Sequence, residues 1–275
     1  MIEVLLRLIA WLMLRIRVNR VERCDRDGVP VIIKRRRYCG SVVIAAGNGF
    51  LALAQSGVQM FVRKRAWVAW EQHCIGLLYA DCSQVPADPG LCVWVPAMPG
   101  TSLRRLLQQN GSCLDAFVAA ARELRRAHRM RSCFFRAGWS HGDLHLDNIL
   151  YDGETDRAFL IDFDTRHKLG IDENRQHADD LKVLLLELIA VAGEEWRPLA
   201  TAFLKEYGEA HLLNELAGQL AVPRGFAKIL WHSRTDCRPF REIAPRLRIL
   251  RETIRQLVPD ATPFGCEATV SQRVC

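Results

Sequence analysis

Apolar positions along this chain follow two periods. Over Ala66–Tyr79, the residues Trp67, Trp70, Cys74 and Leu77/Leu78 recur at three- and four-residue steps, which predicts a helix with one buried face. Helices are also predicted over Leu103–Gln109, capped by Thr101 or Ser102, over the strongly apolar Leu181–Ala192, and over Ile243–Leu257. Short β-branched or apolar runs predict strands. Val29–Ile33 follows the turn Asp25-Arg26-Asp27-Gly28 and suits a hairpin with Ile16–Cys24. Leu91–Val95 is a second strand, ended by Pro96-Ala97-Met98-Pro99-Gly100. Asp152-Gly153 joins Asn148–Tyr151 to Ala158–Ile161 as a further hairpin.

That last hairpin carries the chemistry. It is preceded by His141-Gly142-Asp143-Leu144-His145-Leu146-Asp147-Asn148 and followed by Asp162-Phe163-Asp164. An aspartate, an asparagine five positions on and a second aspartate fourteen further on suit phosphoryl transfer, which needs positioning, hard-oxygen metal ligands and a group to orient the attacking hydroxyl. Asp143 lies in a loop without helical period, where its carboxylate would face an acceptor hydroxyl. Asn148 and Asp162 offer oxygens for Mg²⁺.

The pattern H-x-D-x-x-x-x-N followed by D-F-x resembles the protein-kinase-like superfamily. The resemblance covers roughly residues 16–195. It implies an α+β, two-lobed fold with a small β-rich N-lobe (1–95) and a mainly helical C-lobe (96–258), followed by a loose tail (259–275). It makes Lys34, at the end of Val29-Pro30-Val31-Ile32-Ile33, the phosphate lysine, with Glu71 as its helical partner. It makes Asp143 the group that orients the hydroxyl, and Asn148 and Asp162 the Mg²⁺ ligands beside ATP. Residues 96–100 become the hinge, with adenine against the backbone of Ala97 and Met98, since Pro96 has no N–H to donate. An aspartate at the start of the Leu181–Ala192 helix would brace the catalytic loop. Asp180 is preferred to Asp179, and plain compensation of the helix dipole is compatible with either.

The chain departs from ordinary protein kinases. It has no glycine-rich phosphate loop, Gly28 being the only glycine before Gly40. Gly142 replaces the arginine of H-R-D, and Asp164 the glycine of D-F-G. Asp179 follows Asp162 by only seventeen positions, with no A-P-E after it. That leaves little room to dock a peptide. These features are similar to the bacterial lipopolysaccharide-core and Kdo sugar kinases, whose motif also reads D-F-D.

Composition adds limits. The 275 residues are 49% apolar, enough for one two-lobed catalytic domain. The net charge is +7, and 32 of the 38 basic residues are arginine, which suits a nucleotide, a phosphorylated sugar or an anionic inner-membrane surface. No pattern of stacking aromatics interleaves with the basic residues, which makes nucleic acid a poor candidate partner. Ten cysteines lack any C-x-x-C pair, and many, such as Cys74, Cys92 and Cys113, sit in apolar runs and read as small hydrophobes in a reducing cytoplasm.

Two apolar segments lie outside the kinase pattern. Ile2–Ile16 is broken by Glu3, Arg7 and Arg15, and its longest apolar run, Leu8–Leu14, is far short of the ~20 residues of a spanning helix. It reads either as a core-packing helix or first strand of the small lobe, or as an interfacial helix anchored by Trp11. Val42–Ala54 is apolar, glycine-interrupted and flanked by Lys34–Arg37 and Arg63–Arg65. It would add core, cover the nucleotide, or dip into a membrane. Near the end, Arg241, Arg248 and Arg255 share one face of a helix, solvated by default.

Three functions follow. The first is an ATP- and Mg²⁺-dependent kinase of a sugar hydroxyl, on a lipopolysaccharide core or another lipid-linked glycan at the cytoplasmic face of the inner membrane. The second is an atypical RIO-like serine/threonine protein kinase. The third is a pseudokinase binding module, motivated by the missing glycine loop and opposed by the intact Lys34, Asp143, Asn148 and Asp162.

Overall fold

The early β-branched run becomes the middle of a small sheet. In a computed structural model, which describes residues 2–26, 28–80, 91–109, 113–132, 134–135 and 138–258, β1 (Asn19–Arg26) and β2 (Val29–Arg36) pair antiparallel from Asn19↔Arg36 to Arg26↔Val29. The hairpin therefore starts at Asn19 rather than Ile16, because the preceding helix runs on to Arg15. Gly28, at φ +81°, closes the turn and donates its N–H to Asp25 Oδ1 at 2.8 Å. β4 (Val93–Pro96) pairs with the other edge of β2, placing Val93 opposite Lys34. Val31 and Ile33 are buried on one face of the sheet, and Val93 is buried beside Lys34 on the other.

Between β2 and β4 lie α2 (Gly40–Leu53), β3 (Val58–Met60) and α3 (Lys64–Leu78). The glycine-interrupted segment is thus a regular helix. It buries Ile44 and Leu51, while Val42 and Leu53 remain exposed, so it adds core on one side only. α3 buries Trp67, Trp70, Glu71, Cys74, Ile75 and Leu78, the face that the periodicity predicts.

The helical part begins with β5 (Thr101–Ser102) and α4 (Leu103–Gln108). Ser102 Oγ caps α4 by accepting from Arg105 N at 3.3 Å. α5 (Leu114–His128) packs on β6 (Ile149–Asp152) and β7 (Arg157–Leu160), which extend β5 into a three-stranded sheet. β8 (Thr165–His167) does not join that sheet. It crosses to pair antiparallel with β3 of the small lobe, Gln59 opposite Arg166. α6 (Glu173–Val191) is the central helix, its leucines buried on every side. α7 (Trp196–Tyr207), α8 (Ala210–Gln219), α9 (Ala227–Arg234) and α10 (Phe240–Leu257) complete the larger lobe. One core runs from Trp67 and Val93 through Phe117, Leu124, Trp139 and Leu184 to Leu250.

Two expectations change. α6 begins at Glu173, capped by Asp172, whose Oδ1 accepts from Asn174 N at 2.9 Å. Asp179 and Asp180 therefore lie well inside the helix, beyond the first turn where the dipole acts, and dipole compensation does not explain them. The N-terminal segment is α1 (Ile2–Arg15), and it rests on α9 of the larger lobe rather than on the sheet. Ala10 is fully buried there, Arg7 Nε donates to Cys237 O at 2.6 Å, and Phe240 N donates to Glu3 Oε1 at 3.1 Å. Among the described residues, no helix is long and apolar enough to cross a membrane. On α10, Arg241, Arg248 and Arg255 are exposed, as their spacing suggests. The tail, 259–275, lies outside the described residues.

Gly100 marks the crossing between the lobes. Its φ is +101°, and a Cβ there would sit 2.3 Å from Tyr151 O. A side chain would force the β6–β7 hairpin away from the hinge. Gly100→Ala is expected to cost about 1–3 kcal/mol in urea unfolding. A change below ~0.5 kcal/mol, the range of a neutral surface substitution, would show that the hinge and hairpin are not in firm contact.

Candidate active site

The loop between Ser140 and Asn148 has almost no regular structure, so its backbone polar groups need partners. Asp180 supplies two. Its Oδ2 accepts from His141 N at 2.7 Å and its Oδ1 from Gly142 N at 2.8 Å, and Oδ2 also faces His128 Nε2 at 3.1 Å. Of the two adjacent aspartates, Asp180 is the one that holds this loop. Its carboxyl lies low, at about 2. Burial acts to raise it, and the hydrogen bond from His128 with the neighbouring histidines outweighs that. Asp179 turns the other way, towards Lys182 and Arg234.

Gly142 explains the loss of the H-R-D arginine. It sits at φ +82°, and a Cβ would lie 3.0 Å from Thr165 Oγ1 and 3.2 Å from the Arg166 carbonyl carbon. A side chain there would be strained by the positive φ and would crowd β8. His141 Nε2 donates to Ile161 O at 3.0 Å, and its ring packs among Trp139 and Phe163. Trp139 Nε1 in turn donates to Cys74 Sγ at 3.4 Å, tying the loop to α3.

The rest of the loop closes on itself. Asn148 Nδ2 donates to Asp143 O at 2.9 Å, which leaves the Asn148 Oδ1 available as a ligand. Ile161 N donates to Asn148 O at 3.0 Å, so the register of the β6–β7 hairpin sets Asn148 beside Asp162. From the opposite side, Glu187 of α6 accepts from Leu146 N and pairs with Arg104, which also reaches Asp147 at 3.1 Å. Glu187 and Arg104 carry no kinase motif signal. They become visible only once α4 and α6 flank the loop.

Lys34, Glu71 and Asp162 come together as the resemblance implies. Lys34 Nζ pairs with Glu71 Oε1 and with Asp162 Oδ1, the latter at 2.7 Å. Burial pulls the ammonium down, but Asp162, Glu71 and Asp164 together raise it, so Lys34 stays charged. Burial pushes the Glu71 carboxyl up to about 8 against the pull of Lys34. Asp162 stands at φ +68°, a strained position for a side-chain-bearing residue. Asp164, in place of the glycine, accepts from Trp67 Nε1 at 2.6 Å and from Asn19 Nδ2 at 2.5 Å. It joins α3 to the first strand, a structural role the motif does not announce.

Carboxylate oxygens of Glu71, Asp162 and Asp164 lie within 4.8 Å of one another. Three carboxyl groups face the ammonium of Lys34, with the Arg36 guanidinium also close to Glu71 and Asp164, and Glu71 Oε2 is buried without a hydrogen-bond partner. Hard carboxylate oxygens gathered in this way fit Mg²⁺. In a second group, His145, Asp147 and Glu187, the two acids already pair with the Arg104 guanidinium, whose charge disfavours a cation there. At the hinge, Ala97 N donates to Pro30 O at 2.9 Å and continues the sheet, while Met98 packs against the core. The Ala97 amide is therefore committed to the sheet, and its carbonyl is the group left for a base.

Residues 99–203 match the model of the Lipopolysaccharide kinase (Kdo/WaaP) family. With this loop inside the matched segment, the chain is a kinase. A solved structure of the Plasmodium vivax ethanolamine kinase is similar over 86% of this chain and 85% of its own, at 11% identity and a TM-score of 0.28. No curated protein matches the chain in sequence.

The loop's support also sets an acid limit. His177 stacks on His128 with ring centroids 3.9 Å apart and donates from Nε2 to Trp139 O at 3.0 Å. Burial, followed by the His128 neighbour, draws its pKa down to about 3. The unfolded chain takes up this proton near pH 6.5 and the folded one near 3, so stability falls as pH drops between them. Between pH 7 and pH 5, urea unfolding is expected to lose about 2 kcal/mol through His177. His177→Gln should lose correspondingly less over the same interval. Equal losses in both proteins would assign the acid sensitivity elsewhere.

Proposed function

We propose that the chain transfers the γ-phosphoryl group of ATP to a sugar hydroxyl of a lipopolysaccharide core or another lipid-linked glycan. The observation that carries this reading is the meeting of Lys34, Glu71 and Asp162 with the Asp143–Asn148 loop, inside a chain whose residues 99–203 match a lipopolysaccharide kinase family. Asp162 and Asn148 Oδ1 would hold Mg²⁺, which when bound offsets charge on the transferring phosphoryl oxygens. Lys34, kept protonated and fixed by Glu71, orients the nucleotide phosphates. Asp143 accepts the hydroxyl proton as the acceptor attacks. The Ala97 carbonyl and the Met98 backbone receive the adenine. Asp180 and Glu187 hold the loop's amides so that Asp143 needs no rearrangement at the moment of transfer.

The acceptor class draws support from β8. In pairing with β3, it commits the backbone just after Asp164 to the small lobe. That leaves no long segment on which to lay a peptide, and it favours a small or lipid-linked hydroxyl over a polypeptide.

The test uses labelled ATP, Mg²⁺ and a lipopolysaccharide extract, with label followed separately into lipid and protein fractions. Wild-type protein should label the lipid fraction. Asp143→Ala should lower that turnover by about 10²–10⁴-fold while keeping thermal stabilisation by ATP and Mg²⁺, and Asp162→Ala should lose the Mg²⁺-dependent part of that stabilisation. Undiminished turnover in the Asp143 variant would sink the assignment, and label confined to protein would turn it towards a protein kinase.

Peripheral contact with an anionic membrane completes the reading. Val4, Leu5, Leu8, Trp11 and Leu12 of α1 are all exposed and span about 120° of the helix, with 100° per residue. Arg15 lies over the Trp11 ring at 4.9 Å, at the end of this stripe. The exposed face of α2 adds Val42 and Leu53, and Tyr38, just before the helix, is fully open. Such faces, edged by arginines, suit the headgroup boundary. Wild-type protein should float with vesicles containing anionic lipid, and Leu8→Ser with Trp11→Ser should reduce the bound fraction several-fold. Equal flotation of both proteins would assign the membrane contact elsewhere.

A further inference from the structure

A sizeable cavity lies outside the nucleotide site. It measures about 540 Å³ and sits between the end of α2, the chain after β8, and helices α6, α8 and α9. Four cations line it: Lys168, Arg175, Lys182 and Arg234. A single carboxylate, Asp179, answers them, pairing with Lys182 and standing 3.6 Å from Arg234. No carboxylate among the described residues lies within 4 Å of the side-chain cations of Lys168 or Arg175. Lys168 Nζ donates only to Ser56 O, at 2.7 Å. The wall thus carries four positive charges against one negative, with His167 also facing it. Burial lowers the proton affinity of Lys182. Asp179 opposes this, and Arg234 and Arg175 add to it. Like charges held together at a partly buried wall are costly unless an anion joins them.

The cavity is also wired to the catalytic loop. His167 faces Asp179 at 3.4 Å through Nε2 and Ser140 Oγ at 2.8 Å through Nδ1. Ser140 is the residue before His141, and Asp179 the residue before the Asp180 that holds the loop's amides. The end of α2 borders the cavity directly, and α1 rests on α9, which forms another of its walls. Both helices present exposed apolar faces.

We infer that this cavity receives an anionic group of the acceptor, a carboxylate or a phosphate, while the acceptor's hydroxyl approaches Asp143. The inference rests on the kinase reading and names the part of the acceptor that the protein recognises. The two cations without carboxylate partners provide the attraction. Arg175 offers the fork that fits either anion, and Lys168 a point charge. Lys182 and Arg234, already joined through Asp179, form the fixed wall behind them.

The experiment measures thermal unfolding in the presence of a saturating non-hydrolysable ATP analogue and Mg²⁺, so that the nucleotide site is filled. Inorganic phosphate, glucuronate and uncharged glucose are then added at matched ionic strength. An anion present at about ten times its dissociation constant should raise the midpoint by roughly 2–4 °C, and glucose should leave it unchanged. A shift with phosphate alone identifies a phosphate-bearing acceptor, and one with glucuronate alone a sugar acid. Arg175→Ala with Lys168→Ala should remove most of the shift, while Arg248→Ala, an exposed arginine on α10, should retain it. Neither substitution touches the core, and both proteins should keep their stabilisation by the nucleotide analogue and Mg²⁺. Loss of that nucleotide stabilisation in the wild-type protein would overturn the kinase reading itself. Intact nucleotide stabilisation with no anion shift, or with a shift that survives the double substitution, would overturn the cavity assignment alone.

Discussion

The buried carboxylate of Asp180 is the constraint on which the site depends. It is fully removed from solvent and accepts from two consecutive loop amides, with a histidine on the same oxygen. Hydrogen bonds to a charged group contribute about 1.5–3 kcal/mol each, and without them a buried carboxylate would be strongly destabilising. The helix and the loop therefore require each other. α6 can carry an acid in its interior only because the loop's N–H groups meet it, and the loop can stay irregular only because the acid does. Gly142 follows from the same arrangement. With its amide held at Asp180, its φ positive and its backbone against β8, any side chain at that position would be strained.

A second constraint links the lobes. Lys34 from the sheet and Asp162 from the end of the hairpin meet across the cleft, and β3 pairs with β8 immediately beyond Asp164. Trp67 and Asn19 hold Asp164, so the residue that replaces the usual glycine ties the two lobes together. In a kinase switched by its activation segment, this stretch would need freedom to rearrange. Here it is fixed by a β-ladder on one side and by the loop between Ser140 and Asn148 on the other. Such a site is assembled by folding, and its selectivity has to come from the surfaces around it.

How far the sequence discloses this depends on the range of each interaction. The kinase-like pattern is local: Asp143, Asn148 and Asp162 are fixed by one loop and one hairpin, and their spacing survives as a motif. Lys34 and Glu71 are legible because each ends or faces an element of clear period. Asp180 is legible only through the resemblance, since two adjacent aspartates differ in function by the 100° that separates them on a helix. The true start of α6 is hidden because Glu173–His177 is polar and only Asp172 marks the cap. Glu187 and Arg104 are eighty-three positions apart, and nothing in either neighbourhood announces their pairing. α2 is misleading for a different reason. Three glycines within it argue against a helix, yet Asn48, bonded to both Met60 N and Met60 O, fixes it against β3.

The arginine excess is read differently once its members are placed. Arg104, Arg125 and Arg126 are tied to acids or to backbone carbonyls, and Arg36 lies over Trp67 while reaching Phe61 O. Arg246 and Arg251 of α10 turn inward to the carbonyls of Ile189 and Leu220. These side chains act as fasteners, and their charge is largely answered within the molecule. What distinguishes a binding surface is therefore unanswered charge rather than total charge. By that criterion the wall formed by Lys168, Arg175, Lys182 and Arg234 stands apart, because its cations converge on one cavity with a single acid among them. Its position beside two helices with bare apolar faces gives the excess a direction. An amphiphile with an anionic head and an apolar anchor would satisfy both surfaces at once, whereas a free nucleotide or a peptide would leave one of them unanswered.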